Sequence, residues 1–351
     1  MQLPDMTPIL GWYRENARDL PWRHTRDPYR IWVSEIMLQQ TRVEAVLPYY
    51  ARFLARLPTV QALAECPEDE LLKLWEGLGY YSRVRNMQKA AKTVMCQHGA
   101  SFPRDFEEIR ALCGIGEYTA GAIASFAFDL PYPAVDGNVL RVAARLLNYD
   151  SDVLAPASKR ELTAAVAAAQ PRAHAAEYNQ AMIELGATVC LPNGAPRCHV
   201  CPLFDQCAAR AAGREQELPV RKKPAPRKRE ERTVLILREG DTVALRQRPA
   251  SGLLAGLYEP FSFPARLDAA EVGEKLSSFG ITPLRIAPLG DAKHIFTHLE
   301  WHMTGYEVIL DAKSAQTVCE KLDNALFFAP RHEIDGDYAV PSAYSAYRAF
   351  M

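Results

Sequence analysis

From Thr7 to about Arg210, apolar residues recur at three- and four-residue spacing, separated by short stretches carrying Gly, Pro, Asp or Asn. That period draws one apolar stripe along a helix, so this half of the chain is predicted to be mostly α-helical. Val60 to Leu74, Arg85 to Cys96, Thr119 to Phe128, Asn138 to Leu147 and the alanine-rich Ser158 to Gln170 each read as helices with a polar side. Between Ala212 and Arg232 the pattern is broken by prolines and filled with charge, which predicts an exposed, semi-extended linker. Its Arg and Lys residues serve either solubility or phosphate contact. Beyond it, Thr233 to Leu237 and Thr242 to Arg246 read as short strands around the turn Glu239-Gly240-Asp241, and His302 to Leu310 as another. The second part is therefore an α+β domain.

Length agrees with this division, since 351 residues exceed one ordinary core. The hydrophobic content of 48% supports globular folding, and a formal net charge of -1 excludes a uniformly basic nucleic-acid coat, leaving local patches for any polyanion contact. Met1 to Leu10 has neither the basic start nor the apolar run of a secretion signal, and no apolar stretch reaches membrane-spanning length. A soluble, cytoplasmic protein is expected.

Cysteine usage adds a metal centre. Cys190, Cys198, Cys201 and Cys207 follow a Cys-x7-Cys-x2-Cys-x5-Cys spacing. Reducing compartments do not maintain disulfides, and soft thiolates favour zinc or an iron–sulfur cluster. Zinc sites usually pair two tight knuckles; one knuckle flanked by wider gaps suits a [4Fe–4S] cubane, with zinc the alternative and unligated core cysteines the third. His199, inside the loop, reads as solvated, and Cys66, Cys96, Cys113 and Cys319 as small buried apolar residues.

Three segments carry candidate chemistry. Leu112 to Gly121 sets Gly114 and Gly116 directly before an apolar helix, where glycines admit close backbone approach and free amides can hold a phosphate; the same pattern is also an ordinary tight turn. Asp136, at the start of another helix, is a helix cap or a functional acid. Glu35 stands among Ile31, Trp32, Val33, Ile36 and Met37, on a surface face or turned inward. Turned inward it would be desolvated and protonated, whereas an acid at a helix start would stay ionised. Breaking a bond to a sugar anomeric carbon requires such a pair, an acid for the leaving group and an anion for the oxocarbenium-like transition state.

Together with Pro21-Trp22-Arg23, the run Ser34 to Thr41, Gly77 to Arg83, Asp136-Gly137-Asn138 and the four cysteines, these segments resemble, in order, the adenine DNA glycosylase family of the MutY type, within the helix-hairpin-helix glycosylases. The resemblance implies a helical glycosylase domain over residues 1–211, with a hairpin-bearing part at about 24–133 and an iron–sulfur part at 1–23 and 134–211, then the linker 212–232. It implies removal of adenine mispaired with 8-oxoguanine or guanine in duplex DNA, by a monomer holding a [4Fe–4S] cluster. Glu35 would protonate adenine N7 and help activate water, and Asp136 would stabilise the cationic sugar or attach to C1′. Tyr118 and Asn138 would support the two acids, and Arg23 would contact the flipped adenine; apart from the resemblance, Arg23 is a surface arginine. Gln40 and Tyr80 would fill the space that the adenine leaves, Gln39 having the weaker claim and Tyr80 also reading as a core aromatic.

The related endonuclease III type forms a Schiff base on a lysine just after the hairpin. Here that position is Tyr118, and no lysine occurs between Lys92 and Lys159, so hydrolysis by water is expected. The first cysteine gap has seven residues where the family has six, and Cys113 replaces the family's proline or lysine. Residues 233–351 resemble the family's Nudix-like domain through Gly252 to Glu259 and through Phe296-Thr297-His298, in which Thr297 stands for serine and, with His298, would read the lesion. No Glu-Glu pair follows Glu231, so this domain should read and not hydrolyse. A catalytically silent DNA binder would need no Glu35 and Asp136 pair.

Overall fold

Aspartates start several of the helices. Asp27, Asp105 and Asp136 each turn a carboxylate oxygen onto free amides at the first turns of Pro28–Met37, Phe106–Ala111 and Gly137–Leu146. The computed structural model describes residues 1–222 and 226–351. Two units result, one of residues 1–65 and 85–224, the other of 66–84 and 225–351.

In the first unit the helix Glu117–Phe128 is apolar all round and buried from Thr119 to Ala127, which makes it the central element. The helices Pro28–Met37 and Ala175–Thr188 pack on it, and Ala175–Thr188 also packs on Gly137–Leu146. Two glycines set how near these elements come. A Cβ on Gly121 would lie 2.1 Å from the Pro133 carbonyl oxygen, and one on Gly186 would lie 2.6 Å from Asn138 Cβ. Only hydrogen fits at either contact, so the Asp136 segment is drawn against both helices.

The second unit is built on a mixed sheet of β1 (Lys228–Glu239), β2 (Thr242–Gln247), β3 (Tyr258–Glu259), β4 (Phe261–Phe263), β5 (Arg285–Ile295), β6 (Leu299–Ile309) and β7 (Leu326–Pro330). Its order is β3-β2-β1-β6-β5, with β4 on β1 and β7 on β2. The strands β1 and β6 run parallel, from Lys228 beside Leu299 to Arg238 beside Ile309. Val234 and Ile236 join a core with Trp301, Met303 and Tyr344, while Leu235 and Leu237 join another with Val272, Leu276 and Val308. Both faces of β1 are thus covered, which explains its unbroken apolar run.

Several expectations from sequence change. The Val60 to Leu74 helix is two, Val60–Glu65 and Glu68–Leu74, because Pro67 has no amide to continue the first and restricts the residue before it. The linker is shorter than expected. β1 starts at Lys228, where the charged residues still find partners, Arg232 lying 3.9 Å over the Trp301 ring and Glu230 accepting from Trp301 Nε1 at 3.2 Å. Upstream, Leu218 is buried and its carbonyl accepts from Arg145 at 2.9 Å, so that stretch is docked. Residues 223–225 of the expected linker lie outside the described residues. Cys66 is buried as expected, but Cys96 and Cys113 are exposed, one near the end of Ser82–Gln97 and the other on the hairpin, and Cys319 is half-buried. No helix among the described residues is long and apolar enough to cross a membrane.

Candidate active site

Glu35 points inward. It is 5% exposed, and the Tyr118 hydroxyl donates to it at 2.7 Å. Burial pushes its carboxyl up to about 7, opposed by the Tyr118 bond, reinforced by the Asp136 charge and opposed again by Arg23. Tyr118 itself is raised well above the usual phenol range, by burial first and then by the two carboxyls. It therefore stays a donor.

Asp136 is the helix cap, one of the two readings the sequence allowed, and it also stands at the cleft. It caps the Gly137–Leu146 helix, its Oδ1 accepting from the amides of Asn138 and Val139, each at 2.8 Å, and it lines the same cleft as Glu35. Its Oδ2 accepts from Asn138 Nδ2 at 2.6 Å, and Arg141 donates to Asn138 Oδ1 at 2.8 Å, which fixes the orientation of that amide. Burial raises Asp136 as well, contrary to the simple expectation for a helix start, while these three donors pull it back. The two acids therefore differ in hydrogen bonding, with three donors on Asp136 and the Tyr118 hydroxyl on Glu35.

The cleft holds about 580 Å³ and is lined by Arg23, Glu35, Gln40, Tyr118, Asp136 and Asn138 among others. Arg23 is not a surface arginine. Its guanidinium donates to Glu184 at 2.6 Å and to the Arg18 carbonyl at 2.9 Å. Glu184, which sequence reasoning missed, is fully buried; burial raises it, but the hydrogen bonds from Arg18 and Arg23 outweigh that and bring it down to about 2. An acid inside the apolar run Ala181-Met182-Ile183-Glu184-Leu185 was the available signal. Gln40 is exposed at the rim, with φ of 59°. At the hairpin, Gly114 has φ of 79° and a Cβ there would meet Asn86 at 2.7 Å; Gly116 caps the Glu117–Phe128 helix in extended conformation.

In the second unit Tyr80 is 45% exposed with φ of 48°, so it is no core aromatic. Such backbone strain in a bulky residue persists only where surroundings impose it. Trp75 Nε1 and Arg83 each donate to the Gly79 carbonyl at 3.1 Å. The Tyr80 hydroxyl lies 3.1 Å from Thr297 Oγ1, which brings together two residues far apart in sequence. His298 is exposed beside it, and Phe296 packs on the Trp301 ring at 4.8 Å.

Cys190, Cys198, Cys201 and Cys207 border one small cavity walled by Val142, Leu146 and Leu185. Arg145 donates to Cys190 Sγ at 3.1 Å. The longer first gap closes as a loop through Gly194, at φ of 71°, and a bond from the Arg197 amide to the Val189 carbonyl at 2.9 Å. Among the described residues no group of three or more His, Cys, Asp or Glu side chains is placed to hold a metal ion. Four soft sulfur donors around one apolar space fit a thiolate-ligated metal centre.

Residues 33–168 match the family described as HhH-GPD superfamily base excision DNA repair protein, and residues 232–349 match the NUDIX domain. The adenine DNA glycosylase of Buchnera aphidicola subsp. Baizongia pistaciae is 34% identical, the match covering 86% of this chain and 85% of that protein. The adenine DNA glycosylase of Mus musculus is 36% identical, covering 88% and 71%. Among solved structures, a thermostable thymine-DNA glycosylase superposes with a TM-score of 0.54 at 27% identity, over 59% of this chain and 94% of that one. A trapped endonuclease III–DNA covalent intermediate, at 24% identity and a TM-score of 0.51, shares the fold over 61% of this chain and 94% of that one.

Proposed function

We propose, for a chain that belongs to the adenine DNA glycosylase family, that Glu35 and Asp136 divide the work of removing adenine from a duplex in which it faces 8-oxoguanine or guanine. The protein is a DNA N-glycosylase acting in base excision repair. Glu35, held protonated near neutral pH by burial, donates its proton to N7 of the extruded adenine. The glycosidic electron pair leaves with the base, and the Asp136 carboxylate stabilises the cationic C1′. Asn138 and the two helix-start amides keep Asp136 in place. Glu35, now ionised and hydrogen-bonded by Tyr118, takes a proton from the water that attacks C1′. That returns the acid to its starting state and yields an abasic sugar.

The observation that carries this reading is a buried Glu35 and a half-buried Asp136 in one cleft, the first with one hydrogen-bond donor and the second with three. With Tyr118 where a lyase would hold its lysine, water is the nucleophile. Tyr80 and Thr297, bonded to each other, form the lesion-reading pair with His298, and Gln40 and Tyr80 enter the stack. The four cysteines would hold a [4Fe–4S] cluster that orders the loop from Cys190 to Cys207, and no step of excision runs through it. In iron and zinc analysis of the purified protein, iron with acid-labile sulfide is expected; zinc alone would overturn the cluster.

The test of the reaction uses a duplex carrying adenine opposite 8-oxoguanine. Strand breakage only after alkali is expected. Breakage without alkali would indicate a lyase, and tight binding with neither would indicate a silent binder.

A further inference from the structure

The N-terminal segment is joined to the Ala175–Thr188 helix by a polar ladder. Glu177, Gln180 and Glu184, at i, i+3 and i+7, share one face of that helix. Arg14 donates to Glu177 at 2.5 Å, the Tyr13 hydroxyl donates to Gln180 Oε1 at 2.5 Å, and the last rung is Glu184. That rung is unlike the others, because it is fully buried and takes charge from two residues. Arg18 donates to it through its amide at 3.0 Å, Nε at 2.8 Å and Nη2 at 2.9 Å, and Arg23 through Nη2 at 2.6 Å.

Both arginines line the cleft that holds Glu35 and Asp136. The charged and titratable groups acting on Glu35 from the elements around it are Tyr118 and Asp136 on one side and Arg23 from the N-terminal segment; Arg18 and Arg42 also line the cleft. A free guanidinium there would pair with whichever carboxylate it can reach, and an acid so paired is held ionised. An ionised Glu35 has no proton to give.

We propose that Glu184 is a positioning residue that holds the Arg23 guanidinium off Glu35, so that Glu35 keeps the proton it donates to the departing adenine. The proposal rests on Glu35 as the general acid. Glu184 touches no reacting atom; it acts through Arg23, whose second amino group is held at the same time by the Arg18 carbonyl at 2.9 Å. Burial of the Glu184–Arg23 pair, with side-chain exposures of 0% and 11%, limits solvent screening of the effect, while Arg18 is 35% exposed.

The test is single-turnover excision with enzyme in excess, measured across pH for the wild type, Glu184→Gln, Arg23→Met and the double variant. Glu184→Gln should excise within about twofold of wild type at about pH 6 and roughly tenfold more slowly at about pH 8, because its alkaline limb moves to lower pH. Arg23→Met should move that limb upward, and the double variant should follow Arg23→Met, a rescue that a merely structural role would not produce. A uniform loss in Glu184→Gln at every pH, with the limb unmoved, overturns the proposal. Should Glu184→Gln fail to fold, the Arg23→Met arm decides, and an unmoved limb there overturns it equally. Glu35→Gln is the control for the reading beneath: retained excision in that variant removes the general acid, whereas lost excision there with an unmoved limb in Glu184→Gln removes only the role of Glu184.

Discussion

Replacing Glu35 by Gln should make the protein more stable above neutral pH while removing its activity. The carboxyl has an ordinary value of 4.5 and burial raises it to about 7 in the folded chain. Folded protein therefore holds this proton more tightly than unfolded protein does. No penalty exists below about pH 4.5, where both states are protonated; the penalty grows as pH rises and is complete above about pH 7. The gap between 4.5 and about 7, at about 1.4 kcal/mol per pH unit, amounts to about 3 kcal/mol. Gln fills nearly the same volume, carries no titration, and its carbonyl can still accept from the Tyr118 hydroxyl. Glu35→Gln should then match the wild type near pH 4.5 and exceed it by about 3 kcal/mol at about pH 8, a rise in melting temperature on the order of 10 °C for a unit of this size. Thermal unfolding of both full chains at a series of pH values measures it. A melting difference that does not change with pH would refute the argument, since it would mean that Glu35 titrates alike in folded and unfolded chains and does not hold its proton more tightly in the folded one.

Asp136 separates capping from chemistry. Asp136→Asn retains an oxygen for the two helix-start amides and should stay within about 1 kcal/mol of wild type, whereas Asp136→Ala loses the cap and should cost a further 0.5–2 kcal/mol or so; single-turnover excision should fall about 100-fold or more in both. Equal melting temperatures for the two variants would count against the cap. Gly186→Ala puts a methyl 2.6 Å from Asn138 Cβ, so overpacking of about 1–3 kcal/mol is expected, together with slower excision as the Asp136 segment shifts. Denaturant unfolding and excision assays on the same preparation check both parts. Thr297→Ala removes the partner of the Tyr80 hydroxyl and should lower the preference for 8-oxoguanine over guanine opposite adenine by roughly 5- to 10-fold, the worth of about one hydrogen bond, while Thr297→Ser should leave it unchanged. The ratio of excision rates on the two duplexes is the measurement, and an unaltered ratio in Thr297→Ala would remove that bond from lesion reading.

The helical half was legible in the sequence because most of its helices carry a periodic stripe, Glu117–Phe128 being the exception, buried on every side where the sequence suggested a polar one. Asp136 was legible as a cap because capping is local, a side chain bonding amides two and three residues on. The break at Pro67 was legible in principle, since the absent amide is a property of the residue. The parallel partner of β1 was not, because Lys228 to Arg232 read as charged linker until β6, some seventy residues away, supplies a ladder and Trp301 supplies a surface for Arg232.

The site divides along the same line. The sequence alone specified which carboxyls, hydroxyls and thiols the chain possesses, and its motif order, matching a known family, pointed to their tasks. It did not specify which way Glu35 faces: the Pro28–Met37 helix is buried from Ile31 to Met37, so no polar stripe marks an outer side. Only the packing of Glu117–Phe128 against it, at a separation that Gly121 and Gly186 permit for the neighbouring Asp136 segment, turns that glutamate into a desolvated acid with Tyr118 as its donor. Glu184 depends on tertiary structure still more, because an acid in an apolar helix is a defect until two arginines from the other end of the unit close over it. Identity is local and survives in sequence; acidity is set by what stands nearby in space, and that the fold decides.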